Sequence, residues 1–211
     1  MKALLVSGGN IEDLNLVKEL AKDVDFVIGA DAGTDYCLAS NLVPNIIIGD
    51  LDSIKMGNLD IVKQKEIPIL KFPIEKDNTD TELALDYLIE KGFKDITIIG
   101  AIGSRIDHTL GNIFLLKKLK DKKVKGKIID GHNIIYLIDD ELIVENRPNS
   151  YVSILPINDS GSIVSLDGFK YNLSKVQIDF SSTLGISNEI EKDFGYIKIH
   201  KGLCLVIISM D

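Results

Sequence analysis

Aspartates gather in three short motifs, each placed where a predicted strand ends. Asp31 lies in Gly-Ala-Asp-Ala-Gly, Asp50 and Asp52 in Gly-Asp-Leu-Asp-Ser, and Asp77 and Asp80 in Lys-Asp-Asn-Thr-Asp. The runs before these motifs are nearly continuous and apolar, which is typical of parallel strands buried on both faces. Ligands of open parallel sheets bind at the carboxyl ends of the strands, so we expect these acids to share one edge.

Several carboxylates at one edge repel one another unless a cation lies between them. Hard carboxylate oxygens suit Mg²⁺, and the sequence holds no cluster of cysteine or histidine that would suit zinc. Each motif also has a structural interpretation that the sequence leaves open. These are a strand-ending turn for Asp31, an Asx-type turn for Asp50 and Asp52, and a helix start with Asp77 or Thr79 as N-cap and Asp80 in the first turn.

A glycine-rich segment, residues 100–111, leaves a predicted strand and opens a predicted helix. Free N–H groups and a helix N-terminus bind anions, and the planar fork of Arg105 suits phosphate oxygens. Asp107 is expected to serve this site and also to pair with Ser104 in a capping box, and His108 is either a structural helix residue or a catalytic one. Neither a Walker A nor a Gly-x-Gly-x-x-Gly string is present, so we expect a nucleotide with Mg²⁺ held without a P-loop.

The first part of the chain alternates strand-like and helix-like segments. Apolar spacing predicts strands at 3–7, 26–31, 46–50, 67–72 and 96–101, and helices at 11–22 (capped by Asn10), at 79–91 and from just after Ser104 to about 119. Such alternation is typical of an α/β fold, with a mostly parallel, Rossmann-like sheet covered by helices.

Beyond residue 126 helical spacing is almost absent and turn residues separate short apolar runs. The runs are 127–130, 134–138, 142–145, 151–156, 162–166, 176–180, 196–200 and 203–209. They predict an all-β antiparallel sandwich or barrel, and hence two domains, 1–125 and 126–211. The lysine-rich stretch at 117–127 is interpreted as a solvated helix end, since no aromatic residues are interleaved for base stacking.

The overall composition narrows the class of protein. With 24 basic and 32 acidic residues the formal charge is −8, which argues against nucleic-acid and anionic-membrane binders. The first residues are too short for a signal-peptide core, and no run of 18 apolar residues predicts a membrane span. We therefore expect a cytoplasmic protein. The two cysteines, Cys37 and Cys204, lie in apolar segments without metal-ligand spacing, so we expect both to be buried thiols.

Taken in order, five motifs resemble the thiamine pyrophosphokinase family. They lie at 31–33, 49–53, 72–80, 103–108 and 185–189, so the resemblance covers nearly the whole chain. It implies an N-terminal domain that binds ATP and Mg²⁺ and a C-terminal β-domain that helps to bind thiamine, usually across a homodimer interface. It also implies transfer of the β,γ-pyrophosphoryl group of ATP to the hydroxyl of thiamine, which gives thiamine pyrophosphate and AMP.

The resemblance also implies roles for individual residues. Asp50, Asp52 and Asp80 correspond to the acids that organise metal and phosphate, with Asp31 beside them, and Arg105 corresponds to a phosphate clamp. Further substrate-binding positions are Asp77, Thr79, Ser104, Asp107 and His108, together with Ser187 and Asn188 for thiamine. The base that accepts the alcohol proton stays open between Asp31, Asp50, Asp52 and solvent.

Some members of that family stack an indole on the thiamine ring, but this chain has no tryptophan. Phe194, Tyr196 or an aliphatic contact from Ile190 are the candidates for that role. The alternatives are a pyrophosphokinase for another primary alcohol such as a hydroxymethylpterin, a metal-dependent phosphohydrolase or nucleotide-sugar transferase, and a non-catalytic nucleotide or thiamine sensor.

Overall fold

The structure is a computed structural model that describes residues 1–71 and 78–210. Its contacts divide the chain into two compact units, Met1–Gly131 and His132–Asp211. No helix in the described part of the chain is both long enough and apolar enough to cross a membrane.

Among the described residues, six parallel strands form the sheet of the first unit. They are β1 (Lys2–Val6), β2 (Phe26–Ala30), β3 (Ile46–Ile48), β4 (Ile69–Leu70), β5 (Asp95–Ile99) and β6 (Lys125–Ile129), in the spatial order β4-β3-β2-β1-β5-β6. Successive strands leave β1 on one side up to β4, and the chain then returns to its other side with β5. The order therefore reverses between β1 and β5, which is where ligands of open parallel sheets bind. The predicted parallel α/β fold is confirmed.

Five helices accompany these strands in the described residues. They are α1 (Leu14–Lys22), α2 (Gly33–Ala39), α3 (Met56–Gln64), α4 (Asp80–Glu90) and α5 (Ile106–Asp121). Apolar periodicity predicted α1, α4 and α5. It missed α2, which has only seven residues, and α3, whose first turn holds no capping side chain of its own.

Two predicted helix caps are wrong. The α1 helix is capped by Asp13, which accepts a bond from the Asn15 N–H at 2.9 Å, and not by Asn10. The capping box expected at α5 does not form either, because the helix begins after Arg105 and Asp107 binds that arginine instead. At α1 a polar side chain closer to the helix start takes the place of the predicted cap, whereas no side chain among the described residues caps α5.

Close packing decides where the site-bearing turns lie. A Cβ on Gly33 would stand 2.0 Å from the Val6 carbonyl oxygen, so only glycine lets α2 begin against β1. Gly100 has a φ of +71°, and a Cβ there would stand 2.3 Å from the Ser7 carbonyl oxygen. The turns that follow β1, β2 and β5 are thereby held close together.

The second unit contains seven antiparallel strands within residues 132–210. They are β7 (Asn133–Ile138), β8 (Glu141–Glu145), β9 (Ser150–Pro156), β10 (Ser162–Asp167), β11 (Leu173–Ile178), β12 (Phe194–Lys201) and β13 (Cys204–Met210). One group has the order β7-β13-β9 and the other β11-β10-β12-β8. The antiparallel β part predicted beyond residue 126 is present.

The run at 127–130, predicted to open the β part, belongs to β6 of the first unit. There it pairs in parallel with β5, and α5 connects the two strands as a crossover. The predicted boundary at 125/126 falls inside β6, after its first residue, whereas the contacts divide the chain after Gly131. Cys37 and Cys204 are both buried free thiols, and burial raises the pKa of Cys37 to about 12.

Candidate active site

Asp31 ends β2 in a left-handed turn. Its φ is +47°, its N–H donates to the Ile48 carbonyl at 2.8 Å, and its own carbonyl accepts from the Thr34 N–H at 3.0 Å. The turn thus joins β3 on one side and opens α2 on the other. Aspartate tolerates this backbone region better than most residues, which accounts for its place here in local terms.

The motif that follows β3 is a tight turn built by its own carboxylates. The Asp52 N–H donates to Asp50 Oδ1 at 3.1 Å, and the Ser53 hydroxyl donates to Asp52 Oδ1 at 2.9 Å. The Asx-type turn considered for these residues therefore exists, and it coexists with a site. Leu51 adopts a φ of +73° between the two acids, while its side chain packs on the cluster around Ile47.

Asp35 anchors the far end of this turn, a role that the sequence did not reveal. Its carboxylate accepts from the Lys55 N–H at 3.2 Å and from Asn58 Nδ2 at 2.7 Å. These are the groups at the start of α3, so Asp35 caps that helix from the neighbouring helix α2. Its only sequence signal is a position four residues after Asp31, one helical turn away.

Three carboxylates converge at this edge of the sheet. Oxygen atoms of Asp31, Asp50 and Asp52 all lie within 4.8 Å of one another. Asp31 Oδ1 is buried and has no hydrogen-bond partner among the residues that the structure describes. A hard divalent cation fits this arrangement, since it would satisfy the orphaned oxygen and relieve the repulsion.

The electrostatics of the cluster agree with that interpretation. Burial is the largest cause that raises the pKa of Asp31 above 3.8, and the negative charges of Asp80 and Asp52 raise this pKa further. The neighbouring Ser53 side chain opposes these effects by lowering the pKa of Asp31. Without a counter-ion, the fold therefore disfavours the ionised form of this side chain.

Asp80 lies beside the cluster of three without belonging to it. It is the first residue of α4, and its charge reaches Asp31. Thr79 is the N-cap of the helix, since its hydroxyl accepts from the Glu82 N–H at 3.2 Å, so the structural interpretation is realised at that position. Asp77, like the rest of 72–77, lies outside the described residues.

The loops after β1 and β5 meet at the point where the strand order reverses. The Gly9 N–H donates to the Gly100 carbonyl at 2.7 Å, and the Asn10 N–H donates to the Ile102 carbonyl at 2.8 Å. A Cβ on Gly9 would lie 2.4 Å from the Gly100 oxygen, so glycine is required for this approach. Sequence reasoning emphasised the segment 100–111 and overlooked this first loop, although a glycine pair after the first strand was a usable signal.

The Arg105 side chain is exposed to solvent and is paired with a neighbouring aspartate. Its Nη2 lies 2.6 Å from Asp107 Oδ2 and its Nε 3.2 Å from Asp107 Oδ1, while both side chains are about two-thirds exposed. The hydrogen bond from Arg105 lowers the pKa of Asp107 to about 2. Ser104 and His108 beside them are exposed. The guanidinium is therefore oriented by one carboxylate and accessible to an incoming anion.

Ser187 and Asn188 lie in the second unit and differ sharply in environment. Asn188 is buried, accepts from the Tyr171 N–H at 3.1 Å and from the Glu189 N–H at 3.0 Å, and donates to the Tyr171 carbonyl at 2.8 Å. Ser187 is exposed in a left-handed conformation with a φ of +58°, and its N–H donates to Ser153 Oγ at 3.1 Å. Asn188 thus shapes the loop, whereas Ser187 faces solvent.

The three candidates for the missing indole also differ in exposure. Phe194 and Tyr196 are 43% and 48% exposed on β12, so both rings are accessible from solvent. Ile190 is buried and forms an isolated bridge with Phe169. The two aromatic residues remain available as contacts for a flat ligand, in contrast to the isoleucine.

Comparisons with known proteins follow the same division of the chain. Residues 17–128 match the family model "Thiamin pyrophosphokinase, catalytic domain", and residues 140–204 match "Thiamin pyrophosphokinase, vitamin B1 binding domain". The chain is 35% identical to a thiamine pyrophosphokinase of Bacillus subtilis over 98% of both sequences, and 25% identical to thiamin pyrophosphokinase 1 of Caenorhabditis elegans over 78% of this chain and 70% of that protein.

Solved structures agree with these matches. The crystal structure of the Bacillus subtilis thiamine pyrophosphokinase superposes with a TM-score of 0.89 at 35% identity and covers 100% of both chains. That of the Geobacillus thermodenitrificans thiamin pyrophosphokinase has a TM-score of 0.86 at 31% identity and covers 100% of this chain and 98% of the other. The chain belongs to the thiamine pyrophosphokinase family.

Proposed function

We propose that this chain transfers the pyrophosphoryl group of ATP to the hydroxyl of thiamine, giving thiamine pyrophosphate and AMP. The observation that carries the proposal is the cluster of Asp31, Asp50 and Asp52, whose oxygens lie within 4.8 Å at the ligand-binding edge of the sheet. The two domain matches support the same reaction, because one is to a catalytic domain and the other to a vitamin B1 binding domain.

Mg²⁺ fits the carboxylate edge, and we assign its binding to Asp50, Asp52 and Asp80 together with Asp31, whose Oδ1 has no hydrogen-bond partner among the described residues. The bound ion supplies neutralisation of the negative charge on the transferred pyrophosphoryl oxygens. The orphaned Oδ1 of Asp31 and the raised pKa of that side chain both support a cation here. Removal of divalent metal with EDTA is expected to abolish turnover, and added Mg²⁺ is expected to restore it.

The remaining polar groups of the first unit bind and orient the donor. The N-terminus of α5 offers N–H groups to phosphate oxygens, and the backbone bonds between the loops after β1 and β5 fix the glycine-rich segment that leads to it. Arg105 exchanges part of its contact with Asp107 for contact with phosphate, and Asp107 keeps the guanidinium oriented meanwhile. Substrate-binding roles for Asp77, Thr79, Ser104 and His108 stay predictions.

In the second unit, the exposed Ser187 is the residue that we place against thiamine. The amide oxygen and nitrogen of Asn188 both form hydrogen bonds to backbone groups. We therefore propose that Asn188 fixes the conformation of the loop that exposes Ser187. Phe194 and Tyr196 are the accessible rings for stacking on the acceptor.

We also propose that the chain works as a homodimer. Three apolar side chains near the Ser187 loop are largely exposed, Phe180 at 58%, Leu184 at 57% and Ile186 at 45%. Apolar surface of this kind is typical of protein interfaces, and a second copy of the chain would cover it. Light scattering coupled to size-exclusion chromatography tests the proposal, since a mass near twice 23.3 kDa is expected.

The reaction itself is tested by ³¹P NMR of the protein with ATP and Mg²⁺, with and without thiamine. Thiamine-dependent formation of AMP and thiamine pyrophosphate is the expected result. ADP with thiamine monophosphate would instead indicate an ordinary kinase. No thiamine-dependent product, in a protein that still binds ATP, would contradict the proposal, and the same assay with a hydroxymethylpterin would then test the other acceptor.

A further inference from the structure

A buried pair of hydroxyl groups links the sheet of the first unit to helix α4. Ser7 Oγ lies 2.5 Å from Thr81 Oγ1, and the two residues are only 4% and 7% exposed. They are 74 positions apart in the chain, so the contact is purely tertiary. A hydrogen bond in such an interior is strong, and loss of one partner leaves the other hydroxyl buried without a bond.

The two hydroxyl groups join the start of α4 to the central strands of the sheet. Ser7 directly follows β1, and its N–H donates to the Ile99 carbonyl of β5 at 2.8 Å, so it is fixed to the two strands between which the strand order reverses. Thr81 is the second residue of α4 and directly follows Asp80. The Thr79 cap joins residues within the start of the helix, whereas the Ser7–Thr81 bond joins that start to the sheet.

We propose that Ser7 and Thr81 are positioning residues that hold Asp80 against the cluster of Asp31, Asp50 and Asp52. The inference rests on the proposed function, because it takes Asp80 to be part of the metal-binding edge. Neither hydroxyl touches substrate in this proposal, and each acts through the backbone of the first turn of α4.

The geometry makes such positioning necessary. The three clustered acids are carried by turns next to β2 and β3, whereas Asp80 arrives on a separate helix. Ligand distances in metal sites tolerate deviations of only about 0.2 Å, so the first turn of α4 needs a fixed position relative to the sheet. Asp80 and Thr81 are the first two residues of α4, so a bond that fixes Thr81 to the sheet also fixes the backbone that carries Asp80.

The test compares Thr81→Val, which replaces the hydroxyl by a methyl group, with Thr81→Ser, which keeps it. Binding of Mn²⁺ alone to each protein is followed by loss of the free Mn²⁺ signal in electron paramagnetic resonance. We expect binding weaker by roughly tenfold in Thr81→Val, as for other outer contacts of metal sites, and no more than about a twofold change in Thr81→Ser.

A second pair of variants separates positioning from stability. Thr81→Val leaves the Ser7 hydroxyl buried and unpaired, whereas Ser7→Ala with Thr81→Val removes both partners and recovers much of the lost stability. Under the proposal, thermal unfolding improves in the double variant while Mn²⁺ binding stays as weak as in the single one. Recovery of Mn²⁺ binding together with stability would overturn the positioning role.

Asp80→Asn distinguishes failure of this inference from failure of the proposed function. Weaker Mn²⁺ binding in Asp80→Asn and in Thr81→Val together supports the inference. Weaker binding in Asp80→Asn with unchanged binding in Thr81→Val overturns the positioning role and leaves the metal site in place. Unchanged binding in both removes Asp80 from the metal edge and overturns the inference, while the ³¹P assay still decides the reaction independently.

Discussion

The two regions assigned to the two substrates are built on opposite principles. At the edge of the parallel strands, Asp31 keeps a buried oxygen without a hydrogen-bond partner in the described part of the chain, and like charges crowd together. In the second unit, both the oxygen and the nitrogen of the buried Asn188 amide form hydrogen bonds with the backbone of Tyr171. The first region therefore has a buried polar atom that a ligand could satisfy. In the second region the polar groups of Asn188 are already hydrogen-bonded, and the neighbouring Ser187 is exposed.

The difference has a chemical reason. Binding of a divalent cation supplies enough free energy to hold together carboxylates that repel one another. The fold therefore need not provide hydrogen-bond partners for all of their oxygens. A small organic acceptor supplies less, and a loop that receives it is better organised in advance. Substitution of a clustered aspartate should therefore lower activity while the fold is retained. Substitution of Asn188 should instead lower the free energy of unfolding.

The largest expected effect is that of Asp52→Asn. The side chain is exposed and asparagine still accepts the bond from Ser53, so the fold is retained. Loss of a metal-edge carboxylate should lower kcat by at least about a hundredfold. Steady-state kinetics and circular dichroism measure the two quantities, and Asp60→Asn on α3, an exposed acid away from the cluster, is the matched control. Full activity in Asp52→Asn would contradict the metal edge.

The next effect sharpens the comparison within the second region. Asn188→Ala leaves the backbone of Tyr171 without its partner, so the free energy of unfolding should fall by about 1–3 kcal/mol. Ser187→Ala removes an exposed hydroxyl and should leave stability unchanged, while it raises the KM for thiamine by roughly threefold to tenfold and leaves the KM for ATP unchanged. Denaturant titration and kinetics of both variants check this contrast.

The opposite result is equally informative. If Asn188→Ala raised the KM for thiamine without loss of stability, its amide would have to leave Tyr171 and contact the substrate. Equal changes of the KM for ATP and the KM for thiamine in Ser187→Ala would remove this residue from the acceptor site.

A smaller effect is expected at Asp35, which supports the carboxylate turn without joining the cluster. Asp35→Ala removes the cap of α3 and should lower the free energy of unfolding by about 1 kcal/mol. Because the same turn carries Asp50 and Asp52, the Mg²⁺ concentration at half-maximal activity should rise by roughly twofold to fivefold. Titration of activity with Mg²⁺ measures this change. A lower stability with an unchanged Mg²⁺ requirement would make Asp35 purely structural.

The smallest effect concerns the stability of the metal-free protein. The folded pKa of Asp31 is raised by burial, so its stabilising contribution is present below its ordinary pKa of 3.8 and is lost as the pH rises through the folded pKa. In EDTA at pH 7, Asp31→Asn should therefore raise Tm, by roughly 1–2 °C, and the gain should vanish in acid. A lower Tm at pH 7 would mean that the ionised side chain is stabilised by contacts beyond those described.

Much of the first unit follows from local patterns in the sequence. Apolar runs predicted β1, β2, β3 and β5, and the acids that follow them meet because parallel strands end at one edge. The Asx turn of Asp50 and the N-cap of Thr79 were also predictable, since both are bonds between residues two or three positions apart.

Other features needed the folded chain. The helices α2 and α3 were not predicted, since one is short and the other is capped by Asp35 from outside its own segment. The interior position of Asn188 was not predicted either, because its partner Tyr171 lies 17 positions away. Such partners are set by packing between elements, which no local pattern specifies.

By itself, the sequence determined the strand–helix alternation of the first unit, the acidic motifs at the strand ends and the family to which the chain belongs. The physical reason is that strand period, strand polarity and turn chemistry depend on residues close together in the chain. Only the tertiary structure decided which oxygen of Asp31 has no partner among the described residues, that the Asn188 amide bonds to the backbone of Tyr171 and that Ser7 contacts Thr81. Each of these depends on groups brought together from distant parts of the chain, where burial raises the cost of every unpaired polar atom.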